Sequence, residues 1–339
     1  MTRPRALLAM NPRLTGLLFD DDALTRLRRA TDIDTGLVLT ELDSPRSRDA
    51  LAGAEILVAG WDAPVVRGRH LPHTSRLRAV VYAGGVAATC LEDPEAFAAR
   101  GVVAANARAA NSGPVAEYAL AMILLANKRA LPTARAYRTS RTLPDPFAPR
   151  PGLGNFRQTV GVVGASTVGR ALLALLRPFD LDVLLHDPTL TPEQAEALGA
   201  RLVPLDELMA GSRVVTLHQP LTPTTRHQID AGRLALMQDG ATLLNTARGA
   251  VVDQDALLAE VRTGRIDAVL DVTDPEPPTA GSELWTLDNV VLTPHLAGSQ
   301  GGELRRIGNA VADEVERFAA GRPFAHPEDL AASAHARVR

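Results

Sequence analysis

The chain of 339 residues contains a single cysteine, Cys90. An intrachain disulfide is therefore excluded, and a reducing compartment is the simplest expectation. No nucleophile motif surrounds this thiol, so we interpret it as a small packed side chain rather than a catalytic group.

Long hydrophobic runs are also lacking. The N-terminal segment MTRPRALLAMNPR has an apolar run too short for a signal peptide. The most apolar later stretch, VAEYALAMILLAN, contains Glu117 and is shorter than a membrane span. These observations predict a soluble, cytoplasmic protein without a membrane partner.

The sequence has no strong charge of either sign. Its formal net charge is −3, and no basic cluster is visible, so we do not expect nucleic acid as a partner. His70 and His73 lie close together in RHLPHTS, but no third ligand is nearby. We therefore predict a solvated loop there, and no metal site.

Short apolar or β-branched runs alternate with helical patterns through the first third of the chain. The expected strands are RALLAM, LVLTEL, AEILVAG, LRAVVYAGG and GVVAAN, a rhythm typical of a small parallel α/β unit. A long helix is expected next, with Asn111 or Ser112 as its N-cap and Pro114 in its first turn. Residues 140–157 contain four prolines and two glycines and predict an extended loop.

A second alternation follows this loop. It predicts strands near residues 159–163, 182–186, 201–203, 213–217, 241–245, 266–271 and 290–292, with helical patterns between most of them. Such an order indicates a doubly wound sheet. GGELRRIGNAVADEVERFAAG predicts a closing amphipathic helix, and the Ala-rich tail after Pro327 is expected to be loosely ordered.

The segment GVVGASTVGR joins a buried strand to an apolar helix and has the form of a nucleotide-binding turn. Gly164 and Gly169 occupy the outer positions of a G-x-G-x-x-G pattern, and Ser166 stands where the middle glycine is usual. Asp187 ends the next strand, 18 residues beyond Gly169, where a carboxylate binds adenosine ribose hydroxyls and repels a 2′-phosphate. Together these residues favour NAD over NADP.

Three later segments each follow a predicted strand: LLNTARGAVVD, LDVTDPEP and VLTPHLAGS. In doubly wound sheets, ligands bind outside the carboxyl ends of the strands, so Arg248, Glu276 and His295 are expected to converge there. Taken one at a time, each residue is as easily a solvated charge or a packing residue.

These blocks, in this order, resemble the D-isomer-specific 2-hydroxyacid dehydrogenase family. The match covers VGVVGASTVGR, LHDP, VVTLHQPLTPTTR, ALMQDGATLLNTARGAVVD, LDVTDPEP and TPHLAGS, and the N-terminal third resembles the family's substrate domain. The resemblance implies two doubly wound α/β domains. A Rossmann-type NAD-binding domain at 112–298 would be inserted into a smaller flavodoxin-like substrate domain made of 1–111 and 299–339. It also implies a homodimer with the helix near Pro114 in the interface.

The resemblance further implies that Arg248 binds the substrate carboxylate, that His295 donates and accepts the proton, and that Glu276 orients His295. An imidazole backed by a carboxylate suits this chemistry, because it titrates near neutral pH and holds one tautomer. The implied cofactor contacts are Gly164, Ser166, Thr167, Val168, Asp187, His218, Pro220, Thr225, Thr246, Ala247, Asp271 and Gly298. Asp271 is a candidate for the nicotinamide carboxamide, or alternatively a turn former at the strand end.

The expected substrate loop, AVVYAGGVAATCL, departs from the family pattern. Gly84 and Gly85 are adjacent, and their amides remain candidates for gripping a carboxylate. Val86 stands where a glycine is expected and would restrict the backbone. Tyr82 is either a pocket wall or an ordinary strand aromatic. Two alternatives to a 2-hydroxyacid dehydrogenase therefore stay open: an NAD-sensing scaffold without turnover, and a dehydrogenase for an inorganic acid such as phosphite.

Overall fold

The structure is a computed structural model that describes residues 3–145, 148 and 152–333. The loop expected at 140–157 lies partly outside the described residues, at positions 146, 147 and 149–151. The end of the expected C-terminal tail, 334–339, lies outside them as well.

The described residues form thirteen strands. In chain order these are β1 (Arg5–Ala9), β2 (Asp32–Leu39), β3 (Ile56–Ala59), β4 (Ala79–Tyr82), β5 (Val103–Asn106), β6 (Gln158–Val163), β7 (Leu181–His186), β8 (Arg201–Leu202), β9 (Val214–Leu217), β10 (Thr242–Asn245), β11 (Asp267–Leu270), β12 (Val290–Leu292) and β13 (Pro327–Glu328). Central strands such as β3 and β9 are buried along their whole length, as expected for parallel strands covered on both faces.

The same residues form thirteen α-helices. They are α1 (Pro12–Leu18), α2 (Asp21–Ala30), α3 (Pro45–Gly53), α4 (Pro94–Ala99), α5 (Arg108–Asn127), α6 (Ala130–Ser140), α7 (Thr167–Leu176), α8 (Pro192–Ala197), α9 (Leu205–Gly211), α10 (Ala231–Leu236), α11 (Gln254–Arg262), α12 (Leu304–Ala319) and α13 (Leu330–Ser333). Many begin at a side chain that caps their first amides, among them Asn11, Asp20, Ser44, Asp93, Ser166, Thr191, Asp230 and Asp253.

The chain divides into two compact units, and the first consists of residues 1–111 and 299–339. Its sheet has the strand order β13-β5-β4-β3-β1-β2, parallel except for the antiparallel edge pair β13–β5. Without β13 this is the flavodoxin-like order. Apolar side chains from α3 and α4 cover one face of the sheet, and side chains from α1, α2 and α12 cover the other.

The second unit, residues 112–298, contains an entirely parallel sheet of order β12-β11-β10-β9-β6-β7-β8. One buried cluster joins the sheet to α9, α10 and α11, and the other joins it to α5, α7 and α8. The chain runs outward from β6 in one direction and from β9 in the other. The predicted doubly wound α/β class is thus confirmed, with the topological switch between β6 and β9.

The long helix α5 begins earlier than expected. It starts at Arg108, whose amide is accepted by the side chain of Asn106, because Ala109 and Ala110 continue the helix without strain. Asn111 and Ser112 are therefore not caps, and Pro114 lies inside the helix. At twenty residues, with a mean hydropathy of 1.2, α5 is long and apolar enough to cross a membrane, contrary to the expectation of a shorter run. Core helices of soluble proteins meet the same criterion, and α5 has seven buried residues.

Residues 130–140, which lie mostly between the predicted long helix and the predicted loop, form α6, which has no buried residue. One further segment differs from expectation. Residues 327–333, expected to be loose, form β13 and α13, because Pro327 and Glu328 pair with Ala105 and Ala104 of β5 and Leu330 packs into the core.

Candidate active site

Six strands of the second unit end on one register row, in which each residue pairs with its neighbour on the next strand. In sheet order the row is Leu292, Leu270, Asn245, Leu217, Val163 and His186. The residues that directly follow five of these strand ends are Asp271, Thr246, His218, Gly164 and Asp187. Since neighbouring strands lie about 4.8 Å apart, the register alone brings these five predicted cofactor residues to one edge.

The turn after β6 is held open by glycine. Gly164 has φ +93°, and a Cβ on it would lie 2.7 Å from the amide nitrogen of Gln219, so no side chain fits. A Cβ on Gly169 would lie 2.1 Å from the Gly164 carbonyl oxygen. Ser166, at the unusual position, caps α7 by accepting from the Gly169 amide at 3.3 Å. The amides of Thr167 and Val168 thus stand at a helix N-terminus, which favours a phosphate.

Asp187 braces the same turn. Its Oδ2 accepts the Ala165 amide at 2.7 Å, and its Oδ1 accepts the amide and hydroxyl of Thr189 at 2.9 and 2.6 Å. Partial burial pushes the pKa of this carboxyl upward, but these hydrogen bonds outweigh burial and leave the pKa below its usual value. The group is therefore anionic at neutral pH, and Oδ2, which accepts only the Ala165 amide, keeps a lone pair for a further donor.

The segment after β9 contains polar atoms that lack partners in the described part of the chain. His218 is buried. Its Nε2 forms a hydrogen bond with the Thr216 hydroxyl at 2.8 Å, while its Nδ1 has no partner. Burial lowers the pKa of His218 to about 3, so the ring is neutral. Gln219 Oε1 and Thr246 Oγ1 are likewise buried without partners. Beside a glycine turn, such atoms fit a bound dinucleotide that supplies the missing hydrogen bonds.

The neighbouring loop is closed by Thr225, whose hydroxyl donates to the Pro220 carbonyl at 2.6 Å and accepts the Thr222 amide at 2.8 Å. This turn fixes the backbone that follows His218 and Gln219, so Pro220 and Thr225 shape the loop through their own hydrogen bond.

The segment after β10 presents Arg248. Asn245, buried at the strand end, accepts the Ala247 amide at 3.0 Å and donates to the Arg248 carbonyl at 2.9 Å. A Cβ on Gly249 would lie 2.0 Å from the Thr273 carbonyl, so this turn packs directly on the segment after β11. The Arg248 guanidinium is exposed and donates to the Ala247 carbonyl at 2.7 Å. Its planar fork suits a carboxylate.

His295 and Glu276 meet at the same edge. His295 Nδ1 and Glu276 Oε1 are 2.7 Å apart, and both side chains remain roughly half exposed. Because a carboxylate accepts, Nδ1 carries the proton in the neutral ring, and Nε2 is the atom left for chemistry. Nε2 has no hydrogen-bond partner within the described residues.

Asp271 fixes the backbone around His295. Its Oδ1 accepts the Thr293 hydroxyl at 2.6 Å and the Leu296 amide at 2.9 Å, and its Oδ2 accepts the Ala297 amide at 3.0 Å. His295 itself has φ +50°, a conformation that a non-glycine residue adopts only when its surroundings impose it. Asp271 therefore has the turn-forming role, while its nicotinamide contact stays a prediction. Gly298 follows this turn and ends the second unit.

The expected substrate loop lies in the first unit. The Tyr82 ring packs against Gly84, where an added Cβ would lie 2.5 Å from ring carbon Cε1, and against the apolar cluster on one face of the sheet. Burial raises the pKa of Tyr82 to about 12. The Gly84 amide donates to the Tyr82 carbonyl at 2.8 Å, and its contact with a substrate carboxylate stays a prediction. Gly85 is the glycine whose amide has no such bond in the described chain. Val86 has φ −143°, an ordinary extended conformation.

Residues 120–297, just over half of the chain, match the model of the NAD binding domain of D-isomer specific 2-hydroxyacid dehydrogenases. The chain belongs to this family. Residues 120–297 are thus a 2-hydroxyacid dehydrogenase NAD-binding domain, and NAD is the cofactor that this domain binds.

Several relatives of the 2-hydroxyacid dehydrogenase family are similar over much of the chain. D-3-phosphoglycerate dehydrogenase of Archaeoglobus fulgidus is 34% identical over 70% of this chain and 45% of its own length. Glyoxylate reductase of Thermococcus onnurineus is 40% identical over 49% of this chain and 50% of its own. The apo structure of Rhodotorula graminis D-mandelate dehydrogenase, 26% identical, covers 96% of this chain and 98% of its own with a TM-score of 0.78. The chain spans about half the length of the curated relatives it matches.

Two features of this candidate site were not predicted from the sequence. Asn245 orders the Arg248 turn, and its position at the end of a buried strand was the available signal. The Tyr118 hydroxyl, from α5, lies 2.9 Å from the Thr293 hydroxyl and so joins the Asp271 network. That contact crosses 175 residues, and no local pattern indicates it.

Two residues outside the site, His70 and Cys90, are both buried, and only the burial of His70 was unexpected. His70 is buried, not solvated as expected: its Nδ1 accepts the Arg67 amide and its Nε2 lies 3.0 Å from Asp43. Both ring nitrogens of His70, which lies in the 3-10 turn Gly68–Thr74, thus have partners. Cys90 is buried, and burial raises the pKa of its thiol to about 12, which agrees with a packing role.

Proposed function

We propose that this chain is an NAD-dependent oxidoreductase that interconverts a 2-oxo acid and a D-2-hydroxy acid. The observation that carries the proposal is the 2.7 Å pair of His295 and Glu276, at the sheet edge that also presents the NAD-binding turn and Arg248. When bound, NADH supplies the hydride that adds to C2 of the oxo acid, and NAD⁺ accepts it in the reverse direction.

His295 would handle the proton. As hydride reaches C2, the carbonyl oxygen becomes an alkoxide, and protonated His295 donates from Nε2 to that oxygen. The ring is left neutral, with Nδ1–H still directed at Glu276. In the reverse direction Nε2 takes the proton back, and Glu276 stabilises the resulting imidazolium. Asp271 supports this step by holding the His295 backbone in place.

Arg248 would bind the substrate's carboxylate through its guanidinium fork and polarise the C2 oxygen. The Asn245 side chain holds the turn that carries Arg248, so part of the cost of orienting a flexible arginine is met by the fold.

The residues that would hold NAD follow the strand ends. The Thr167 and Val168 amides would receive the pyrophosphate, Asp187 the ribose hydroxyls, and the orphaned polar atoms of His218 and Thr246 the remaining polar groups. The anionic state of Asp187 supports NADH over NADPH, because it would repel a 2′-phosphate.

The rest of the chain would complete the enzyme. We propose that residues 1–111 and 299–339 form the substrate domain, with Gly85 and Tyr82 in the substrate loop. The single buried cysteine supports a cytoplasmic location. A homodimer is supported by α6, which has no buried residue, and by the exposed apolar side chains between positions 125 and 156: Leu125, Tyr137, Leu143 and Phe156. Tyr137→Asp would then shift the sedimentation coefficient from dimer to monomer.

A second candidate, an NAD-binding scaffold without turnover, is favoured by one observation: the Gly84 amide is already used by the Tyr82 carbonyl. NADH consumption with glyoxylate, pyruvate, hydroxypyruvate, 3-phosphohydroxypyruvate and phenylpyruvate separates the two, with NADPH in parallel. Turnover of any of these acids supports the dehydrogenase. Tight NADH binding by fluorescence without turnover of any acid would replace it with the scaffold.

A further inference from the structure

The substrate loop contains no polar side chain of its own between residues 84 and 88, which are Gly, Gly, Val, Ala and Ala. Its two buried alanine amides are instead bound by a carboxylate from the other end of the chain. Glu328 Oε2 accepts the Ala87 amide at 2.8 Å, and Oε1 accepts the Ala88 amide at 3.0 Å. These contacts span 241 and 240 residues.

The same carboxylate reaches the other side of the loop through Asn106. Glu328 Oε2 accepts from Asn106 Nδ2 at 2.6 Å, and Asn106 Oδ1 accepts the Arg108 amide at 3.1 Å. Arg108 Nε in turn donates to the Gly85 carbonyl at 3.0 Å. The loop is thus held at Gly85 and at Ala87, and Asn106 links the two points.

The segment that carries Glu328 is itself anchored. Glu314 is a buried residue of α12, and its two oxygens accept the Ala325 and His326 amides at 2.9 and 2.8 Å. Antiparallel pairing of β13 with β5 holds the next two residues. Because the backbone that carries this carboxylate is already fixed, little conformational entropy is lost when it binds the loop amides, and it can determine the loop's geometry.

We propose that Glu328 is a positioning residue for substrate binding: it sets the backbone of residues 85–88 so that the Gly85 amide can receive the substrate. The inference rests on the proposed function, since it takes this loop as the one that meets the 2-oxo acid. Glu328 touches no reacting atom, and its effect is expected in the affinity for the acid rather than in hydride transfer.

The test compares Glu328→Ala and Glu328→Gln with Asp329→Ala in the full-length protein. Asp329 is the matched control, because its carboxylate also accepts two backbone amides, but those of Ala331 and Ala332 in the helix α13 that follows it. For Glu328→Ala we expect KM for the best 2-oxo acid to rise about tenfold, with kcat within about twofold and the Kd for NADH unchanged. Glu328→Gln keeps one acceptor oxygen, so its KM for the same acid should rise by only about threefold. Asp329→Ala should match the wild type.

Hydrogen exchange of the Ala87 and Ala88 amides gives a readout that does not need turnover. If these amides exchange about tenfold faster in Glu328→Ala but not in Asp329→Ala, the result supports the proposal that Glu328 holds the loop backbone. Unchanged exchange overturns the proposal, and so does faster exchange with an unchanged KM. If the wild type turns over no acid, the proposed function fails, and exchange still decides whether Glu328 holds the loop.

Discussion

The two sheets order their candidate functional segments by different means. In the second unit, six strands end on one register row, and the residues that follow directly are already neighbours. In the first unit, the loop after β4 depends on Glu328, more than two hundred residues away. In a parallel sheet, strand register alone makes the residues that follow the strand ends into neighbours. An apolar loop has no polar side chains of its own, so its backbone amides need acceptors from distant parts of the chain.

The largest effect is expected at the register-ordered edge. His295→Ala removes the proton donor, so kcat for 2-oxo acid reduction should fall about 10³-fold while NADH affinity by fluorescence stays the same. His227→Ala is the matched control, because His227 is also exposed with positive φ in the second unit. Turnover within about threefold of the wild type would remove His295 from the proposed step.

A second test asks whether Asp271 acts as a brace in the second unit as Glu328 is proposed to act in the first. Asp271→Ala leaves two amides and one hydroxyl without their acceptor and should lower the free energy of unfolding by about 3 kcal/mol. Urea denaturation measures this. Asp274→Asn weakens one half-exposed ion pair and should cost under about 1 kcal/mol. Equal losses for the two variants would contradict the bracing role.

A smaller effect is expected for cofactor choice. Asp187→Ala removes the anionic carboxylate that also holds the Ala165 amide, so kcat/KM for NADH should fall about tenfold and the preference over NADPH should shrink. Thr189→Ala removes a hydrogen-bond donor to Asp187 but keeps its charge, and its NADH-to-NADPH ratio should stay near the wild type. An unchanged ratio in Asp187→Ala would place the ribose elsewhere.

The last test concerns the pH dependence of stability. His218 is neutral in the folded protein because burial lowers its pKa to about 3, whereas in the unfolded chain it titrates near 6.5. Between these values the unfolded chain binds more protons, so stability falls as pH drops below about 6.5, by up to ~1.4 kcal/mol per pH unit from this group. Urea denaturation from pH 7 to 5 should show a shallower decline for His218→Gln. Equal slopes would mean that His218 is protonated in the fold.

The same contrast explains what the sequence could predict. The strands at 159–163 and 290–292 were found because buried apolar runs mark parallel strands, and Gly164 and Asp187 because they follow such runs directly. The edge strand β2 starts at Asp32, five residues before the predicted run at 37–42, because its first half alternates and is half exposed. The start of α5 was missed because Pro114 suggested a first turn. Glu328 has no local signal at all, since its meaning arises only when β13 pairs with β5.

The burial of Cys90 has a practical consequence. Its thiol is shielded and protonated at neutral pH, so thiol-reactive dyes will leave the native protein unlabelled. A cysteine introduced at an exposed position can then be labelled selectively without first preparing a cysteine-free background. Placed at Thr139 on α6, such a label would test the proposed homodimer, because energy transfer after mixing donor-labelled and acceptor-labelled samples is expected only if subunits associate.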